Sequence, residues 1–321
     1  MTFRVWPQAF TVFNKYPFAK QKYFDVLCRI FWLQLSNKIL KRRFEFKLHG
    51  DLKMVARSDF GSPVLSYYLG LYERGSMNFI LKCLRKGDLF ADVGANVGVY
   101  SLLAAGTCGA RVAAFEPVPR AVEAFDENVA INKLESLVTL HRVGVGAAAG
   151  RAEITTGQGG ANHIVGSVER GERTATIEIV TLDAHFPKEC PVGIKIDVEG
   201  YESQVLNGAQ RILSDPRLKF VIMEAISRPG REANNVSESI KILGSHGFAM
   251  YAFDPMRGLL QQAPAQSICY ISEGDENCLF LRDADFIRAR LGGDAYAGHG
   301  SADAEMIGAA TGVAEGNFPN A

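Results

Sequence analysis

The chain has 321 residues, a length that allows one large buried core or two small ones. It holds 35 lysines and arginines against 35 aspartates and glutamates, so no overall excess of positive charge points to nucleic acid as a partner. Its six cysteines show neither a Cys-x-x-Cys pair nor zinc-like spacing, which leaves a metal cluster or a disulfide framework without support. Neither a run of about 20 apolar residues nor a secretory signal is found, and we therefore expect a soluble, cytoplasmic protein with reduced thiols.

The first 85 residues form a basic, aromatic segment in which residues 1–50 carry ten lysines and arginines against two acids, Asp25 and Glu45. Helical patterning is clearest in YFDVLCRIFWLQL at 23–35. Two interpretations stay open. The commoner one is a helical cap packed on the main domain, and the other is a basic amphipathic segment that makes weak peripheral contact with an anionic membrane surface.

From Leu89 onward, short apolar runs alternate with helical segments, which is the pattern of βαβ units around a parallel sheet. We predict strands at 89–93, 111–116, 138–143, 193–197, 220–226, 248–253 and 278–282, with a hairpin-like end to the sheet. We predict helices around 98–106, 119–131, 202–213 and 236–246. A glycine-rich insertion follows the third strand, near the sheet edge where open α/β proteins bind ligands.

Residues 88–105, DLFADVGANVGVYSLLAA, predict a strand, a glycine turn and a helix. Glycine lets the backbone approach a ligand and a helix N-terminus presents free N–H groups, so this turn indicates a nucleotide site. The dinucleotide fingerprint G-x-G-x-x-G is not met, because Asn96 replaces its middle glycine. Glu116 ends the next predicted strand, 18 residues after Gly98, where a carboxylate can accept hydrogen bonds from both hydroxyls of a ribose.

A second polar group lies in IKIDVEGYE at 194–202. Alternation along a strand places Lys195, Asp197 and Glu199 on one side if the extended conformation persists that far. Because a buried charge without a partner is costly, we expect a paired lysine–carboxylate cluster that faces a cleft, or else an ion network that only fixes the following helix. His163, in the insertion, would act as a base only if its loop folds over the cleft.

These residues occur in a familiar order. DVGANVGVYSLLAA, FEP at 115–117, TLD at 181–183, IKIDVEGYESQVLNGA and VIMEA at 221–225 together resemble the FkbM family of S-adenosylmethionine-dependent methyltransferases. The resemblance spans roughly residues 70–285. It implies an α/β class I methyltransferase (Rossmann-like) fold, with a seven-stranded sheet whose last strand is antiparallel. We then expect a helical extension at 1–85, a methyltransferase domain at 86–291 and a disordered tail at 292–321.

The resemblance also assigns roles by position. It implies that S-adenosylmethionine is held by a loop at its methionine end, by an acid with its following proline at the ribose, and by the Tyr-Glu pair at 72–73. The implied cofactor-binding residues are Glu73, Asp92, Gly94, Ala95, Asn96, Gly98, Glu116, Pro117 and Val143. Val143 enters through its backbone near the adenine, because Ala147 stands where an acidic residue is often found.

For the reaction, the resemblance implies methyl transfer to a hydroxyl of a sugar, polysaccharide or natural product. We expect Asp197 or Glu199 to orient or deprotonate the hydroxyl, Lys195 to tune the charge and the 157–168 loop, with His163, to close over the acceptor. Nothing beyond Asp197 and Glu199 resembles a divalent-metal cage, so metal independence is expected. Two alternatives stay open, an NAD-dependent oxidoreductase and a non-catalytic nucleotide-binding scaffold.

Overall fold

A computed structural model provides the coordinates of this protein. It describes residues 5–35, 44–56, 61–156, 162–164, 173–225, 234–264, 271 and 275–292.

The N-terminal extension contains helices and one β-hairpin. Its elements are α1 (Val5–Lys15), a 3-10 turn (Pro17–Lys22), α2 (Tyr23–Leu35), β1 (Phe44–His49), β2 (Leu52–Ala56), α3 (Gly61–Leu69) and α4 (Arg74–Cys83). Strands β1 and β2 pair antiparallel around a turn in which Gly50 has a φ of +54°. The prediction of a wholly helical extension is therefore wrong, because the extension also contains this β-hairpin. The alternation of Phe44, Phe46 and Leu48 is the signal that was missed.

The remainder alternates strands and helices as predicted. Its elements are β3 (Leu89–Val93), α5 (Val99–Leu102) with a π turn at Leu103–Thr107, β4 (Arg111–Phe115), α6 (Pro119–Ile131), β5 (Val138–His141), β6 (Gly144–Val145), β7 (Gly150–Thr155), β8 (Thr174–Val180), α7 (Leu182–His185), β9 (Gly193–Ile196), α8 (Glu202–Asn207), α9 (Gln210–Ser214), β10 (Phe220–Glu224), α10 (Asn234–Ser245), β11 (Ala249–Asp254), β12 (Leu259–Gln262), β13 (Asn277–Leu281) and α11 (Ala284–Gly292).

One sheet organises the chain, with strand order β12-β11-β13-β10-β9-β3-β4-β5. The five strands from β10 to β5 are parallel, and β13 runs antiparallel to both of its neighbours. This is the class I methyltransferase arrangement that was expected, extended by the short edge strand β12. Between β3 and β9 the chain order reverses, so a cleft opens at the carboxyl ends of these strands.

The insertion after β5 forms a small separate sheet, in which β8 pairs with both β6 and β7. It stands beside the carboxyl edge of the main sheet, because β6 directly follows β5. The insertion is thus partly a folded platform. Residues 157–161 and 165–172 of it lie outside the described part of the chain.

Apolar side chains are buried on both faces of the main sheet. One face shares its core with the N-terminal extension, so that Ile30 of α2 and Met54 of β2 belong to the same cluster as Phe90 of β3. The opposite face packs on α8, α9 and α10, with Val205 and Leu243 fully buried. This sandwich fixes the strand ends that carry the polar residues.

The seven predicted strands all occur in the structure, whereas some helices differ from the prediction. The helix predicted at 202–213 is two helices broken at Gly208, where a Cβ atom would come within 2.0 Å of the Gly146 carbonyl oxygen. Helix α11 was not predicted. Of the tail predicted at 292–321, Gly292 ends α11, and residues 293–321 are outside the described part. Within the described residues, no helix combines the length and apolar character that crossing a bilayer requires.

Candidate active site

The glycine turn after β3 is pressed tightly against its neighbours. Gly94 has a φ of +78°, and a Cβ atom there would lie 1.8 Å from the backbone oxygen of Asp197. Gly98 has a φ of +92°, and its Cβ atom would lie 2.9 Å from the Phe125 ring. Only glycine satisfies both the left-handed conformation and the close packing. The turn is therefore held directly beside the end of β9.

An asparagine of α6 fixes the same turn from behind. Asn128 is buried, donates from Nδ2 to the Val97 carbonyl at 2.9 Å and accepts at Oδ1 from the Val55 backbone N–H at 2.9 Å. It thereby ties the turn to strand β2 of the N-terminal hairpin. Asn128 positions the turn and was not predicted as a site residue.

Glu116 follows β4 and faces the cleft with a buried carboxylate. Its Oε2 atom accepts from the Asn96 backbone N–H at 2.8 Å and its Oε1 atom from that of Val118 at 2.9 Å. Burial raises the pKa of Glu116 to about 7, against the effect of these two hydrogen bonds. Each carboxylate oxygen keeps a further lone pair, so Glu116 can also accept from two ligand hydroxyls.

Two adjoining cavities lie at this edge of the sheet. The larger contains about 670 Å³ of free space and the smaller about 310 Å³, each counted together with its part that is open to solvent. Gly94, Asn96 and Asp197 line both cavities, and so stand at their junction. Glu116, Pro117, Val143, His163 and Glu199 line the larger cavity; Tyr72, Asp92, Ala95, Tyr100 and Lys195 line the smaller.

Lys195 and Asp197 form the ion pair that was predicted. The Lys195 Nζ atom lies 2.7 Å from Asp197 Oδ2, and Lys195 is only 2% exposed. Its ammonium also lies over the Tyr100 ring, 4.7 Å from the centroid. Burial acts to lower the pKa of Lys195, but the carboxylates of Asp197, Glu73 and Asp92 outweigh burial and raise it. Lys195 is thus a permanent cation at neutral pH.

Asp92 lies on β3 directly beside Lys195 in the strand register. It is buried, and its Oδ2 atom accepts from the Ser101 hydroxyl at 2.6 Å. Burial raises its pKa, which the Lys195 charge and the Ser101 hydrogen bond counteract. Asp92 lines the smaller cavity, where its carboxylate can accept a hydrogen bond from a ligand.

Glu73 lies next to Tyr100, which lines the smaller cavity. Its Oε2 atom accepts from the Tyr100 hydroxyl at 2.6 Å, and burial raises its pKa to about 8. Glu73 lines neither cavity, and Gly98 does not either. The structure gives Gly98 a packing role, and cofactor contacts by Gly98 and Glu73 stay predictions.

Glu199 reaches the larger cavity by a turn and not by strand alternation. Strand β9 ends at Ile196, and Glu199 and Gly200 have φ values of +55° and +102°. The extended conformation assumed for Glu199 therefore does not persist. The tight turn nevertheless folds its carboxylate back toward Asp197.

A third carboxylate joins Asp197 and Glu199 at this point. Glu224 ends β10, and ligand oxygens of the three residues lie within 4.8 Å of one another. Such oxygens suit Mg²⁺ or Ca²⁺. The premise that nothing beyond Asp197 and Glu199 could form a metal cage is therefore wrong, although metal independence itself stays a prediction. The acid within VIMEA was visible in the sequence, but only the pairing of β10 with β9 places it beside Asp197.

His163 lies in the wall of the larger cavity, beside Asn162 and Ile164. Two hydrogen bonds join His163 to Thr155 of β7, both 3.0 Å long. The His163 backbone N–H donates to Thr155 Oγ1, and the Thr155 backbone N–H donates to the His163 carbonyl. This part of the insertion thus reaches the cleft. Closure of the whole 157–168 loop concerns residues that lie mostly outside the described part.

The polar groups fit S-adenosylmethionine, on the evidence of one unsatisfied atom. Asn96 Oδ1 is buried without a hydrogen-bond partner, and Asn96 lines both cavities. A buried acceptor of this kind calls for a donor from a ligand, such as an ammonium or a hydroxyl group. Glu116 on one side and Asp92 on the other offer acceptors for the ribose and for the amino group of such a ligand.

Comparison with known proteins identifies a family and individual relatives. The profile of the methyltransferase FkbM domain matches residues 92–260. Hexuronic acid methyltransferase AglP of Haloferax volcanii is 29% identical over 159 residues, which are 47% of this chain and 62% of that protein. The chain thus matches less than two thirds of the length of this curated relative.

Two solved structures of methyltransferases align with part of the chain. Methyltransferase FkbM from Methylobacillus flagellatus aligns with a TM-score of 0.42 and 17% identity, covering 70% of this chain and 55% of that one. The tRNA (uracil-54, C5)-methyltransferase of Pyrococcus abyssi, in complex with S-adenosyl-L-homocysteine, aligns with a TM-score of 0.40 and 10% identity. That alignment covers 74% of this chain and 43% of that chain.

Proposed function

This chain belongs to the methyltransferase FkbM domain family, and we propose that it transfers the methyl group of S-adenosylmethionine to a hydroxyl of a sugar, polysaccharide or natural-product acceptor. The position of Asp197 carries the proposal, because this carboxylate lines both cavities at their junction. A cofactor that spans this junction would place its methyl group beside Asp197, where an acceptor bound in the larger cavity could reach it. The name of the relative AglP supports a sugar acceptor, a hexuronic acid in that protein.

The cofactor would span the junction. We assign its ribose to Glu116, its adenine to the backbone around Val143 and its methionine end to the smaller cavity beside Asp92. When bound, S-adenosylmethionine supplies a methyl group on a positively charged sulfur, already activated for displacement. The protein has to align the acceptor oxygen with that methyl group and exclude water.

Asp197 is the proposed base. The Asp197 carboxylate would take the proton that the acceptor hydroxyl loses on receiving the methyl group, while the donor sulfur would keep the electron pair of its bond to that group. Lys195 holds Oδ2 of that carboxylate at 2.7 Å and keeps its orientation. Glu199 lies close enough to orient the same hydroxyl or to replace Asp197 as the base.

The wall opposite the cofactor loop suits a sugar ring. Ile154, Ile164 and Ile177 supply apolar contact, and His163 and Tyr201 supply polar groups. A pyranose has this mixed character, since its C–H face is apolar and its hydroxyls are polar. His163 serves in this proposal as a contact to the acceptor.

Calorimetric titration tests the cofactor. Binding of S-adenosylhomocysteine but not of NAD is expected. Binding of NAD alone would instead support the oxidoreductase alternative, and binding of neither would support the non-catalytic scaffold.

The acceptor is tested by incubating the protein with S-adenosylmethionine labelled in its methyl group and a panel of glycosides. The panel should pair each uronic acid with the matching neutral sugar, so that the two acceptors of a pair differ only in the carboxylate. A mass gain of one labelled methyl group, located on oxygen by NMR, supports the proposal. Label on nitrogen or carbon would contradict it.

A further inference from the structure

Helix α2 is apolar on two opposite sides. Val26, Ile30 and Leu33 face inward and belong to the main core. Phe24, on the outer side, is 80% exposed, and Trp32 is 53% exposed. A helix that is hydrophobic all round is normally covered on every side or lies in contact with a membrane. The outer side of α2 therefore indicates an interaction surface.

Exposed aromatic residues of α1 and α2 form one surface. Tyr23 begins α2 and stacks on Phe13 of α1, with ring centroids 4.8 Å apart. Phe10 lies one helical turn before Phe13, and Phe24 contacts the Tyr23 ring at 5.7 Å. We call this set the N-terminal aromatic surface. It consists of Phe10, Tyr23, Phe24, Phe31 and Trp32.

This surface concentrates the exposed apolar side chains. In the part of the chain that the structure describes, six large hydrophobic residues are exposed, and five of them belong to it. The sixth, Met256, lies in the turn between β11 and β12. Grouped exposure of this kind marks a binding site, whereas single exposed residues are ordinary.

The charge beside the aromatic surface is positive. Residues 5–35 carry Lys15, Lys20, Lys22 and Arg29 but one acid, Asp25, although the whole chain is neutral. Lys15 pairs with Glu276 at 2.7 Å and Arg29 donates to the Tyr67 carbonyl at 2.8 Å. Lys20 and Lys22 are exposed in the 3-10 turn immediately before Tyr23.

We propose that the N-terminal aromatic surface docks the protein onto an anionic lipid bilayer. Aromatic rings of this kind settle at the boundary between headgroups and acyl chains, and adjacent lysines are attracted to anionic headgroups. Complementary charge favours a bilayer over a second copy of this chain, which would bring the same lysines face to face. The contact is peripheral and leaves the fold unchanged.

The chain segment that carries the N-terminal aromatic surface also packs on a wall of the proposed active site. Tyr16, between α1 and the 3-10 turn, contacts the Tyr72 ring edge-to-face at 6.5 Å, and Tyr72 lines the smaller cavity. The guanidinium of Arg74 lies over the Phe18 ring at 4.7 Å. Docking would therefore bring the membrane surface and the site into one neighbourhood.

Cosedimentation of the full chain with vesicles tests the proposal. Vesicles of phosphatidylcholine alone are compared with vesicles that also contain phosphatidylserine, at low and at high salt. We expect binding to the anionic vesicles that weakens at high salt. The Phe24→Ser/Trp32→Ser and Lys20→Glu/Lys22→Glu variants should each bind at least about tenfold more weakly. Met256→Ser, an exposed apolar residue outside the surface, is the matched control and should bind like the wild type.

Several results would overturn the proposal. These are equal sedimentation with both vesicle types, no sedimentation with either, or undiminished binding by the aromatic double variant. Sedimentation velocity shows whether the surface instead joins two copies, since a dimer lost in the aromatic variant without any lipid binding would assign it to self-association. Unchanged thermal unfolding and S-adenosylhomocysteine binding in every variant show that the fold and the cofactor site are intact.

Discussion

The Lys195 ammonium and the Asp197 carboxylate lie 2.7 Å apart at the end of β9, with Lys195 almost fully buried and Asp197 partly open to the cleft. Both residues face the same side of the sheet because they are two positions apart. A buried cation is thus held next to the carboxylate at the junction of the two cavities. Its strength and its consequences can be measured.

Removal of the buried cation should destabilise the protein. In Lys195→Met, the carboxylates of Asp92 and Asp197 lose their shared partner, and we expect the free energy of unfolding to fall by about 2–4 kcal/mol. Chemical denaturation measures this. Lys188→Met, at an exposed position, is the control and should change the free energy little. Wild-type stability in Lys195→Met would show that the pair contributes nothing.

Cofactor affinity should depend on pH through Glu116. The pKa of this carboxyl is about 7 in the cofactor-free protein, and ribose hydroxyls that donate to it favour the ionised form, so that binding lowers this pKa. At pH 8 most of Glu116 is already ionised, whereas at pH 6 about a tenth is. S-adenosylhomocysteine should therefore bind about tenfold more weakly at pH 6 than at pH 8.

Calorimetry across this range provides the check, with Glu116→Gln as the variant that removes the titrating group. That variant should bind more weakly and with little pH dependence. An unchanged pH dependence in Glu116→Gln would assign the titration to another group. In the absence of cofactor, the raised pKa also makes the free energy of unfolding fall as pH rises from 4.5 to about 7.

Gly94 should not tolerate a side chain. Its positive φ and the 1.8 Å approach of a Cβ atom to the Asp197 carbonyl oxygen predict that Gly94→Ala displaces the loop from β9. We expect S-adenosylhomocysteine affinity to fall at least about tenfold and stability to fall by about 2 kcal/mol. Gly244→Ala in α10, where a Cβ atom meets nothing within 4 Å, is the control and should be neutral or slightly stabilising. Equal behaviour of the two variants would contradict the packing argument.

Methyl transfer should persist without a divalent metal. Although Asp197, Glu199 and Glu224 could offer oxygen ligands, Lys195 already neutralises Asp197. Dialysis against EDTA should change the transfer rate by less than about twofold. Activity lost on chelation, restored by Mg²⁺ and weakened in Glu224→Gln would establish a metal site at these three residues.

The sequence predicts the main sheet well because its strands are short apolar runs between clear glycine and proline breaks. Each strand end that carries a polar residue, at Asp92, Glu116 and Asp197, was assigned for the same reason. The parallel arrangement then brings these ends together, so most of the larger cavity could be anticipated.

Other features depend on tertiary contacts that a single sequence does not specify. Glu199 reaches the cleft through two successive residues with positive φ, which strand alternation cannot foresee. Asn128 looks like an ordinary helix residue until the N-terminal hairpin is placed against it. Glu224 is identified only when β10 is known to pair with β9.

The role of Asp197 is the central claim, and labelled methyl transfer by Asp197→Asn tests it most directly. The amide keeps the shape of the side chain but cannot take the hydroxyl proton. We predict a loss of turnover of about 10²–10⁴-fold with S-adenosylhomocysteine affinity unchanged within about threefold, while Asp285→Asn on exposed α11 retains full activity. Wild-type turnover in Asp197→Asn would contradict the account.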